Sequence, residues 1–133
     1  MKVIFKDKES VPDSRYFMYN NKLYLSVTHL LSRGNYNCVD LEKGEFDYVM
    51  TEKRRPVNVD VIISNRGVNK VSKLTNGHYY LSVVYKKHAL CVYDSEENKN
   101  FFVDLIGGIV YNDKSHQGLN LELETKIIIK EYL

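Results

Sequence analysis

Four histidines and two cysteines are the residues of this 133-residue chain best suited to metal binding or nucleophilic chemistry. His29, His78, His88 and His116 are dispersed, and His88-Ala89-Leu90-Cys91 is a single His-x-x-Cys pair with no second pair near it. Structural zinc needs four ligands, usually in close pairs, so the spacing predicts no metal site. A nucleophilic cysteine needs a lowered pKa, at a helix start or beside a base, yet Cys38 and Cys91 each open an apolar strand-like step. No Gly-x-Ser-x-Gly elbow or phosphate-cradling glycine loop is present, and Gly107-Gly108 has the character of a turn or bulge. Glu96-Glu97, and Glu122 with Glu124, lack the apolar neighbours that raise a carboxyl pKa for acid–base work. The expectation is a protein with no catalytic residue and no cofactor.

Charge beside aromatic rings is the chemistry that remains. Arg54, Arg55, Arg66, Lys86 and Lys87, with Tyr79, Tyr80 or Tyr85 nearby, are candidates to hold an anionic ligand, a phosphate backbone or an acidic protein surface. A net charge of +2 and a pI near 8.4 are too mild to mark a nucleic-acid binder by themselves. No run of about 18 apolar residues occurs and the N-terminal stretch is charged, which predicts a soluble, cytoplasmic protein with no membrane partner. Two cysteines in such a chain fit a reducing compartment.

Eleven Tyr and five Phe without Trp suit pleated, half-buried strands. Turn signals recur every eight to twelve residues at Pro12, Asn20-Asn21, 32–35 and Lys43-Gly44, and at the same spacing at Asn76-Gly77 and Lys86-Lys87 in the second half. Tyr24-Leu25-Ser26-Val27 returns as Tyr80-Leu81-Ser82-Val83, Cys38-Val39 as Cys91-Val92, and the alternation at Val57, Val59 and Val61 as Leu119, Leu121 and Leu123. The separations are 56, 53 and 62 residues. An ordered set of anchors with loop-sized differences predicts a duplication, and the polar stretch 64–70 is the candidate linker. The expected fold is all-β: two tandem small SH3-like barrel or meander modules, 1–65 and 66–133, packed as one compact unit. The second copy is longer before its last strand. Loops accept partner contacts without disturbing a core, so Ile109, Tyr111, Asn112, Lys114 and His116 are the candidate partner-binding residues, and residues 109–117 are expected to be removable without thermal cost.

The stretch Asn37-Cys38-Val39-Asp40-Leu41-Glu42-Lys43-Gly44-Glu45-Phe46, preceded by Asn21-Lys22-Leu23-Tyr24-Leu25, resembles small phage-encoded SH3-like β-barrel proteins. The second copy keeps Asp94 and an aromatic but has Glu97-Asn98-Lys99-Asn100 where the first has Gly-Glu. The resemblance implies a phage or mobile-element product and carries over no catalytic residue. The function expected is binding of a host protein, with inhibition of it as a further option. The alternative is nucleic acid or a small anionic ligand.

Overall fold

A computed structural model describes residues 2–5, 15–27, 35–71 and 73–133. His29, the Pro12 turn and most of the 32–35 turn lie outside these. The strands are β1 (Lys2–Phe5), β2 (Tyr16–Tyr19), β3 (Lys22–Ser26), β4 (Cys38–Asp40), β5 (Glu45–Asp47), β6 (Arg55–Val71), β7 (Tyr79–Ser82), β8 (His88–Asp94), β9 (Lys99–Val103), β10 (Val110–Tyr111) and β11 (Asn120–Tyr132). A 3₁₀ turn at Thr51–Lys53 precedes β6, and another at Asp113–His116 precedes β11.

The protein is all-β, built on a closed eight-stranded barrel. Around the ring, β11 pairs β6, β6 pairs β2, and β3, β4 and β5 follow as a meander. β5 then meets β8 at Glu45 and Tyr93, β8 pairs β7, and β7 returns to β11. β1 adds to β11 in parallel, while β9 and β10 extend from β8 outside the ring. Each half thus supplies a meander and one long strand, and the two arcs close one barrel between them. Nine interior side chains, Leu25, Val39, Val57, Leu90, Val92, Val103, Leu105, Ile127 and Ile129, are essentially inaccessible to solvent. Burying each contributes roughly 1.5–3 kcal/mol.

Two expectations are corrected by this topology. Residues 64–70 are not a linker but part of β6, and Lys70 and Val71 pair with Leu121 and Asn120. The flanks of this polar stretch keep ladder partners, Ser64 with Glu124 and Asn69 with Glu122, with a register shift between them. Residue 65 therefore falls inside a strand. Asn-Gly is a strong hairpin signal in sequence, yet the Asn76-Gly77 turn is not a hairpin, because β6 and β7 do not pair with each other but flank β11. Only Gly77 of that pair has positive φ, whereas Asn20 and Asn21 both do, as a type I′ hairpin requires.

The correspondence of the halves reaches the turns. Asp40 Oδ1 accepts from the amides of Glu42 and Lys43, and Asp94 Oδ1 from those of Glu96 and Glu97. Four residues after each Asp stands a left-handed residue, Gly44 (φ 68°) or Asn98 (φ 53°). Each cysteine lies in a small apolar cluster apart from the main core, Cys38 with Phe17, Tyr24 and Val49, and Cys91 with Tyr80, Ala89 and Phe102. The residue after a 3₁₀ turn covers the first cluster, where the Arg54 guanidinium lies 4.3 Å from the Phe17 centroid. The last residue of a 3₁₀ turn covers the second, where His116 stacks on Phe102 at 4.0 Å. Val57 and Leu123 enter the main core, and Val59, Val61 and Leu121 pack against it. Leu119 departs from the expected inward row and is exposed.

The extra length of the second half is β10 and the turn before it. This insertion is not a free surface loop. Leu105 and Val110 lie in the main core, the Tyr16 hydroxyl donates to Leu105 O at 2.5 Å, and Gly108 sits so close to Ser26 that a Cβ would approach its carbonyl to 2.5 Å. Shortening residues 109–117 therefore removes core contacts, against the expectation from sequence.

Candidate functional site

The β7–β8 turn and the segment after β10 face each other across a cleft of about 380 Å³. Tyr85 and Lys87 form one wall, and Val110, Tyr111, Asn112 and Lys114 the other. Strand pairing sets this meeting. Tyr111 lies opposite Phe102, and Phe102 opposite Cys91, four residues after Lys87. The Lys87 ammonium consequently reaches 4.6 Å from the centre of the Tyr111 ring, a cation–π contact worth about 0.5–1 kcal/mol at an exposed site.

The far wall is held rigidly. Asn112 Oδ1 caps the 3₁₀ turn by accepting from Lys114 N at 3.0 Å, and the Ser115 hydroxyl donates to Asn112 O at 2.9 Å. His116, 2% exposed, is fixed by Phe102, by Ser115 Oγ and by a 3.3 Å contact of Nε2 with Tyr80 O. Burial is the main reason its pKa lies below the ordinary histidine value. Asn120 Nδ2 ties the same turn to β11 by donating to His116 O at 2.9 Å.

The near wall is built against local preference. Ser82 N donates to Lys87 O, Lys86 N donates to Ser82 O, and Tyr85 N donates to Ser82 Oγ, closing a loop of four residues. Lys86 has φ 56°, where glycine or asparagine is the usual choice. The tip exposes Val83 (44%), Val84 (64%) and Tyr85 (49%). Leu119 (40%) joins them, since its carbonyl accepts from Val83 N. Sequence reasoning missed this ridge because two valines and a tyrosine after Ser82 have the composition of a continuing strand. Lys86, Lys87 and His88, the three charged or polar residues after Tyr85, were the only sign of a turn.

Of the residues expected to contact a partner, Tyr111, Asn112 and Lys114 line the cleft, Ile109 is exposed outside it, and His116 supports it from behind. Of the basic residues, Lys87 lines it and Lys86 stands at its tip. Arg54 and Arg55 are elsewhere. Arg54 donates from Nε to Val49 O at 3.1 Å and from a terminal nitrogen to Ser26 Oγ at 3.2 Å. Arg55 covers the Tyr132 ring at 4.1 Å, at the opposite end of β11 from Asn120. The 13 residues of β11 make 12 steps between these ends, about 40 Å of strand at roughly 3.3 Å per residue. The Arg66 side chain lies outside what the structure describes. One basic junction patch is therefore not formed by Arg54, Arg55, Lys86 and Lys87.

Burial shifts several further groups upward. Burial pushes both thiols up to about 12, which leaves Cys38 and Cys91 protonated and inert. Tyr79, buried in the main core and hydrogen-bonded to His88 Nδ1, is raised well above a normal phenol by burial and then by Asp104, as is Tyr16. Among the described residues no group of three or more His, Cys, Asp or Glu converges as a metal site would require. No helix of the described residues is long and apolar enough to cross a membrane. Comparisons with known protein families, curated proteins and solved structures found no match for the chain.

Proposed function

We propose that the chain is a non-enzymatic binding protein and that its working face is the cleft between the β7–β8 turn and the segment after β10. The observation that carries this reading is the apolar ridge Val83, Val84 and Leu119 standing in solvent beside a cleft walled by two tyrosines and two lysines. Clustered exposed apolar side chains rimmed by polar ones mark interaction surfaces. Tyrosine supplies large contact area at small conformational cost, as anchors of protein interfaces do. The partner we propose is another protein. The resemblance to small phage barrels makes a host protein in the cytoplasm the first to test.

A photo-crosslinking residue placed at Val84 tests the reading against the same residue at Tyr48, which is equally accessible but belongs to the other half. Protein adducts are expected at position 84 and not at 48, and Tyr111→Ala should remove them. Adducts of equal yield at both positions, or adducts to nucleic acid alone, would overturn it.

A further inference from the structure

The cleft's size, charge and surroundings specify what it would take, given the reading above that it is the binding site. A volume of about 380 Å³ is near the lower end of ligand cavities, which run from roughly 300 to 1,000 Å³. It accommodates one large side chain rather than a broad domain surface. Both charged side chains in its lining, Lys87 and Lys114, are cationic, and they stand on opposite walls with Lys86 at the tip. Three lysines elsewhere find carboxylates, Lys22 with Asp40, Lys99 with Glu97 and Lys130 with Asp60. Among the described residues, none of Lys86, Lys87 and Lys114 has such a partner.

We infer that the occupant is an acidic linear peptide segment carrying one aromatic or branched aliphatic anchor. The anchor seats between Tyr85 and Tyr111, and carboxylates on either side of it reach Lys87 and Lys114. The neighbouring ridge decides between this and a nucleic-acid strand. A phosphate backbone running past Val83, Val84 and Leu119 would lose hydration against apolar groups that return no hydrogen bond. A peptide can place further apolar side chains there. The rigid far wall, fixed by His116, Asn112 and Asn120, means that little is spent ordering the cleft on binding.

The test uses the full chain and synthetic peptides of about a dozen residues in fluorescence anisotropy. One peptide has a central Phe flanked by Asp and Glu, a second replaces the Phe by Gly, a third replaces the acids by Asn and Gln, and a fourth carries Lys in place of the acids. An oligothymidylate of similar length completes the set. The acidic Phe peptide is expected to bind, with at least about tenfold weaker binding for the second and third peptides. The Lys87→Glu, Lys114→Glu double variant should lose the acidic peptide and gain the lysine one, a compensation that a misfolded variant cannot show. Equal binding of the acidic and Asn/Gln peptides, or tighter binding of the oligothymidylate, would overturn the inference. If crosslinks map a protein to position 84 while no acidic peptide binds, the peptide chemistry falls and the binding role stands. If neither occurs, both fall.

Discussion

Lys86 is the residue at which local energetics and use part company. A non-glycine residue in the left-handed region costs about 1–2 kcal/mol, and this one also holds the exposed tip Val83, Val84 and Tyr85 in place. Lys86→Gly is therefore expected to raise stability by up to about 1 kcal/mol, read as a higher urea midpoint, while weakening acidic-peptide binding through the lost charge and a looser tip. A stabilised variant that bound normally would show that the turn has no part in recognition. His116 makes a second prediction at this scale. Its folded pKa is lowered, mainly by burial, so the folded state takes up a proton less readily than the unfolded chain. The stability this represents is fully present above the unfolded value of 6.5 and is lost as pH falls through 6.5 towards the lower folded pKa. Urea midpoints should drop between about pH 7.5 and 5.5, and His116→Phe, which can keep a ring on Phe102, should flatten that drop. An unchanged slope in the variant would assign the pH dependence to other groups.

Among the elements, the turn after β4 and the insertion after β9 carry the most consequence. Gly44 has φ 68°, and a Cβ there would come within 2.3 Å of Gly77 N, so the β4–β5 turn touches the Asn76-Gly77 turn backbone to backbone. Gly44→Ala combines left-handed strain of about 1–2 kcal/mol with a clash that no rotamer relieves. Its melting temperature should fall by well over that share alone, whereas Gly77→Ala, with neighbours no nearer than 3.7 Å, should pay chiefly for its own φ. Comparable losses would mean that the contact yields easily. The hairpin itself was legible from Asp40 and Gly44, since an Asx turn and a left-handed residue are local chemistry. Its contact with Gly77 was not, because nothing near position 44 reports on a turn 33 residues away. The insertion shows the same division. Its extra length and its Tyr111, Asn112 and Lys114 were visible in the offsets, but Val110 read as loop because its burial depends on pairing with Val103 of β9.

At the scale of the molecule, alternation and turn residues located the strands and the all-β class, yet the closure was invisible to them. β6 looked interrupted at 64–70 because polar side chains there mimic a linker, while the deciding factor is a partner strand far along the chain. The ring makes the halves interdependent: β11 alone contacts β1, β6 and β7. Ile127, wholly buried on β11, should cost about 2–5 kcal/mol when replaced by alanine. Hydrogen exchange across increasing denaturant should show β3–β5 and β7–β9 losing protection together, in the variant as in the parent. Separate transitions would mean that each half stands alone.

That shared strand also bears on how the chain is made. β11 follows all other strands in the order of synthesis, and β6 and β7 find their common neighbour only when it emerges. Until then a nascent chain would present two meanders with open edges, the state most prone to pairing with another chain. Closing the ring thus waits for the last strand of the barrel to be made. A chain stalled before residue 120 should be held by chaperones or degraded rather than accumulate half-folded, and pulse-labelled truncations read out by protease resistance would show it.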